Sequence, residues 1–85
     1  MKTILTKEDI KDAIKNMTLD KDEYEAFEID NKICEYYELD CNMFDELTEN
    51  SNQFNCISDV YELIDDLLRE RGYTSDDMYL YKKEK

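Results

Sequence analysis

Apolar residues recur along this chain at helical rather than alternating spacing. Ile10, Ala13, Ile14 and Met17 lie three and four apart and predict a first helix over about residues 7 to 17. Ala26, Ile29, Ile33 and Tyr36 or Tyr37 give the inward stripe of a second helix over about 21 to 38, with Tyr24 and Phe27 on its flank. Phe44 and Leu47 mark a short third helix near 41 to 48. The longest stripe is Ile57, Val60, Tyr61, Ile64, Leu67 and Leu68, read as a fourth helix capped by Ser58 and stopped by Gly72, the only glycine in the chain. Proline is absent, so nothing breaks these runs. The polar stretch Glu49-Asn50-Ser51-Asn52-Gln53 reads as the loop between the third and fourth helices.

Three short stretches share one pattern that fits a helix start. In LTKEDI, Thr6 is placed as the N-cap, Asp9 as the acid that closes a capping box, and Leu5 and Ile10 as the apolar staple across it. In LDKDEY the same roles fall to Asp20, Glu23, Leu19 and Tyr24, and in YTSDDM to Thr74, Asp77, Tyr73 and Met78. A weaker copy, LDCNMF, keeps Asp40 and the Leu39/Phe44 pair but has Met43 in place of the acid. The C-terminal Met78-Tyr79-Leu80-Tyr81 is torn between a cap that favours helix and a composition that favours strand; the helical reading is preferred, with pairing to Thr3-Ile4-Leu5 as the alternative. The expected fold is therefore all-α, a single domain over 1–85 built as a small bundle of four to five short helices. The alternative is α+β, with a minor two-stranded pairing of the N- and C-terminal segments.

Length and charge then narrow the picture. Eighty-five residues support one economical core. Hydrophobic residues make up 41% and charged residues 40%, so periodicity is what argues for a folded domain over a disordered one. No apolar run is long enough to span a bilayer, and MKTILTKEDI does not read as a secretory signal, so a cytoplasmic location is expected. Cys34, Cys41 and Cys56 are an odd number without CxxC spacing or a histidine, and are read as reduced thiols.

The net charge of −12 is unevenly distributed. Residues 1–17 and 67–85 each carry a net +1, whereas residues 18–66 hold 16 acids against Lys21 and Lys32. Between Lys32 and Arg69 there are ten acids and no cation. On the predicted second helix Glu25, Glu28, Glu35 and Glu38 lie outside the apolar stripe, and on the fourth Asp59, Glu62, Asp65 and Asp66 do the same. Asp45, Glu46 and Glu49 add a third group. Like charges a turn apart cost a helix a few tenths of a kcal/mol per pair, so these acids are either a solvated face or a field put to use. Their asymmetry supports the second reading, an acidic face of 11 candidate contact residues that imitates a phosphate backbone. Tyrosines 36, 37, 61, 73, 79 and 81 would add interface area.

Other chemistry is poorly supplied. Without histidine there is no ordinary imidazole base or Ser-His pair, and one glycine cannot build a phosphate loop. No stretch has the spacing of an EF-hand. Asp45-Glu46-Leu47-Thr48-Glu49 followed by Asp59 resembles the helical nucleotide pyrophosphohydrolases of the MazG type, whose paired acidic motifs hold magnesium, but Cys56 stands where the first acid of the second motif belongs. Asp59-Val60-Tyr61-Glu62-Leu63-Ile64 is similar to the helix after the modified serine of acyl carrier proteins, with Ile57 in that serine's place. The expectation is a non-enzymatic, cofactor-free protein that binds a basic nucleic-acid-binding protein or nuclease as a nucleic-acid mimic, of the phage anti-defence or anti-CRISPR type. The alternatives are an immunity or antitoxin-like protein that caps a toxin, and a magnesium-dependent pyrophosphohydrolase. Direct nucleic-acid binding is opposed by the central acidity.

Overall fold

The computed structural model describes residues 3–75 and 80–83, and it is mostly helical, with four α-helices among them. Helix α1 spans Lys7–Asn16, and its start follows from the local sequence. The Thr6 hydroxyl accepts from the Asp9 N–H at 3.2 Å while Asp9 Oδ2 accepts from the Thr6 N–H at 3.0 Å, and Leu5 and Ile10 are both fully buried across the cap. Ala13, Ile14 and Met17 complete its buried face.

The second start signal does something else. Residues Glu23–Glu25 form a short strand β1, with Tyr24 buried between two exposed glutamates, and helix α2 begins later, at Ala26–Tyr36. Asp20 is not a helix cap. The Tyr24 hydroxyl accepts from the N–H groups of Asp20 and Lys21 at 2.8 and 3.0 Å and donates to Asp20 Oδ1 at 3.3 Å, so the phenol organises the turn that the acid was expected to cap. At the true start of α2, the Glu28 carboxylate reaches back to the Glu25 N–H at 3.4 Å. Ile29, Ile33 and Cys34 face the core, Tyr37 packs against it at the helix end, and Tyr36 is exposed.

Asp40 accepts from the Asn42 N–H at 2.9 Å and opens a 3-10 turn over Cys41–Met43, which leads into helix α3, Phe44–Asn50. Phe44, Leu47 and Thr48 are buried there. The turn that follows uses Asn52 at φ 60°, a conformation asparagine tolerates. Helix α4 spans Ile57–Glu70 with Val60, Ile64, Leu67 and Leu68 inward. Its N-cap is Cys56 rather than Ser58, and the first turn is held instead by Asp59, whose Oδ2 accepts from the Asn55 N–H at 3.1 Å. Gly72, at φ 91°, ends the helix as its sequence position predicts, with its N–H on the Arg69 carbonyl at 3.0 Å.

Beyond Gly72 the chain departs from the helix-start reading of YTSDDM. Tyr73–Ser75 is a strand, β2, and Leu80–Lys83 is a second, β3, so Thr74 caps no helix and residues 80 and 81 are extended; Asp77, Met78 and Tyr79 lie outside the described residues. The strands form a small antiparallel sheet in the order β1-β3-β2, with Tyr24 opposite Tyr81 and Thr74 opposite Lys82. The C-terminal strand thus pairs with β1 and β2, not with Thr3-Ile4-Leu5. Residue 5 is engaged elsewhere: its N–H donates to the Leu47 carbonyl of α3 at 2.9 Å.

One core joins these parts. Helix α1 packs on α4 and α2, and α4 packs on β2. Two long side chains after α4 reach back to earlier segments: Arg71 Nη1 donates to the carbonyls of Ile14 and Met17 at the end of α1, each at 2.8 Å, and the Tyr73 hydroxyl of β2 donates to the Lys21 carbonyl ahead of β1 at 2.6 Å. The guanidinium thereby sits at the negative end of the α1 dipole and satisfies carbonyls that the helix leaves open.

Candidate interaction surface

The acids picked out in the sequence divide among several places. Glu25 is exposed and Glu28 half-buried at the start of α2, where Lys21 Nζ bonds Glu28 at 3.1 Å. Glu35 and Glu38 are exposed at the other end of this 11-residue helix, about 15 Å away along its axis. Glu38 follows the helix in the left-handed region, at φ 58°. On α3, Asp45, Glu46 and Glu49 are all exposed. On α4, Glu62 and Asp66 are exposed, with Arg69 3.7 Å from Asp66 in a pair open to solvent. Asp59 is half-buried and committed to the first turn of α4, and Asp65 is half-buried with Oδ1 enclosed and unpartnered.

The structure brings one pair of these acids together with apolar surface. Asp45 and Glu49, one turn apart on α3, border a cavity of about 300 Å³ whose other walls include Phe54, Cys56, Ile57 and Val60. Ile57 is 40% exposed there although its spacing predicts an inward residue, because it begins α4 at the rim of the cavity. Among the described residues, no lysine or arginine pairs with either carboxylate.

A further acid, Asp30, lies outside the acidic face read from the sequence, and its carboxyl is strongly perturbed. Its Oδ2 accepts from the Tyr61 hydroxyl at 2.6 Å, bridging α2 to α4, while Oδ1 is enclosed without a partner. Burial pushes its carboxyl up to about 6; the Tyr61 hydrogen bond offsets part of that rise and the nearby charge of Asp45 adds to it. Tyr61 is raised in turn by its own burial and by Asp30. The signal was present in the spacing: Ala26, Asp30, Ile33 and Tyr37 lie four, three and four apart, so Asp30 belongs to the inward stripe.

The thiols offer little chemistry. Cys34 is buried and pushed up to about 11 by that burial, while Cys41 and Cys56 are exposed, and all three are free. Among the described residues no three or more acids or cysteines, Asp45, Glu46, Glu49 and Asp59 included, gather in a way that could hold a metal ion. No helix among the described residues is long and apolar enough to cross a membrane. In comparisons with protein families, curated proteins and solved structures, nothing matches this chain.

Proposed function

We propose that this protein acts by binding a basic, nucleic-acid-handling protein and occupying its cleft as a nucleic-acid mimic, in the manner of phage anti-defence or anti-CRISPR proteins. The observation that carries the reading is the stretch from residue 33 to residue 68, which has ten acids and no cation. Most of those acids are exposed on the end of α2, on α3 and on α4. Glu62 and Asp66, and Asp45 and Glu49, stand one helical turn apart, about 5–6 Å between β-carbons, on the scale of neighbouring phosphates along one strand. Such repetition opposes helix stability and also raises a strong local potential, which speeds encounter with a positive surface. Asp9 and Asp59 are excluded from the face because their carboxylates hold helix starts, and Glu28 is tied to Lys21.

Immobilised protein should capture a basic nucleic-acid-binding protein or nuclease from lysate, and added DNA should release it. Capture that neither DNA nor salt affects would refute the mimic, and capture of a toxin that DNA leaves in place would favour the immunity-protein alternative.

A further inference from the structure

We propose that the cavity between α3 and the start of α4 receives one arginine side chain of the basic partner, its stem on Phe54, Ile57 and Val60 and its guanidinium on the carboxylates of Asp45 and Glu49. This deepens the function proposed above and rests on it for the partner, though not for the site.

Volume, polarity and charge agree on this occupant. About 300 Å³ is the lower limit of small-molecule pockets, suited to a single side chain rather than a nucleotide. Asp45 and Glu49 stand one turn apart on the same helix face, a spacing that a planar guanidinium can bridge where a lysine ammonium acts as a point charge. Phe54 supplies a ring already approached by a cation, with Lys7 Nζ 6.0 Å from its centroid. The positive end of α4 also lies at this cavity and opposes a cation, but it amounts to about half a charge, against two full negative charges, and Asp59 in the first turn offsets part of it. Asp45 adds a reporter, because its charge helps hold the Asp30 carboxyl high and a guanidinium neutralising it lowers that value.

The test titrates the full chain, isotope-labelled for NMR, with capped Gly-Arg-Gly and capped Gly-Lys-Gly at low salt. Saturable shifts are expected at Phe54, Asn55, Ile57 and Val60, with lysine binding several-fold more weakly. Asp45→Asn with Glu49→Gln should weaken arginine binding about tenfold, Asp22→Asn with Glu23→Gln, exposed acids outside the proposed face and the cavity, should leave it within about twofold, and Lys7→Ala should strengthen it. The mutated acids are exposed, so the fold should survive. Alkylating Cys56 in a Cys41→Ser background gives a second readout that removes no charge: it should block arginine and leave the buried Cys34 unmodified. Shifts spread over every acidic helix, equal binding of lysine, or equal losses from both acid pairs would overturn the proposal. A captured basic partner whose affinity ignores Asp45 and Glu49 would overturn this site alone. Failure to capture any basic partner, with arginine binding intact, would overturn the mimic alone.

Discussion

Replacing Asp30 with asparagine should change the dependence of stability on pH in a defined window. In the unfolded chain this carboxyl titrates at its ordinary 3.8 and in the folded protein at about 6, so between those values the folded state holds a proton that the unfolded state has released. Stability contributed by the neutral acid is fully present below 3.8, is lost as pH rises to about 6, and above that the cost of the buried charge is constant. The difference between 3.8 and about 6 corresponds to about 3 kcal/mol, which solvent reaching the partly exposed carboxyl reduces to about 1–2 kcal/mol. Relief of repulsion among 23 acids has the same sign, so the measurement is the difference between the two proteins rather than either curve alone. Urea unfolding followed by circular dichroism at pH 4 and pH 7.5 should show Asp30→Asn gaining about 1–2 kcal/mol relative to the parent on going from the lower to the higher pH. A difference between the proteins that is the same at both pH values would show instead that Asp30 keeps its ordinary acidity when folded.

Arg71→Ala should destabilise by about 2 kcal/mol, a fall of roughly 10 °C in Tm, because it removes charge-assisted bonds to two carbonyls at the end of α1. Arg71→Lys should recover about half of that, since an ammonium keeps the charge without the fork. Gly72→Ala should cost about 1 kcal/mol in thermal unfolding; a methyl group there meets nothing within 4 Å, so the whole effect is the strain of φ 91° in a residue with a β-carbon. Purified protein with magnesium should not hydrolyse nucleoside triphosphates; turnover that Glu46→Gln abolishes would show the scattered acids to be an active site after all.

The helical part of this fold was legible because it rests on three- and four-residue spacing. Ile10, Ala13, Ile14, Ile29, Ile33, Val60, Ile64 and Leu68 are all in the core where that spacing puts them. The sheet was harder to read because its strands are three or four residues long, and so short a strand leaves almost no alternation to detect. The capping pattern also misled at two of its three complete copies. Apolar, cap, acid, apolar describes the helix start at Thr6, but at Asp20 and Thr74 the apolar partner is a tyrosine, and the ring joins the core as part of the sheet. Tyr24 and Tyr73 stack tilted at 5.8 Å, and their burial outweighs what a cap contributes, about 1 kcal/mol. Among the acids, sequence marks which are numerous and outward but not which are already committed. Asp59 and Glu28 hold local structure, and Asp30, an acid on an inward stripe, reads in sequence as a flaw in the pattern rather than part of it.

If the acidic helices occupy a nucleic-acid cleft, DNA and this protein must compete for one site on the partner. With a captured partner in hand, its apparent Kd for this protein should be measured against rising concentrations of duplex DNA. Apparent Kd is expected to rise in proportion to DNA, as for two ligands sharing one site, and the association rate to fall steeply with salt. A ternary complex, with DNA and this protein bound together at undiminished affinity, would contradict the shared site.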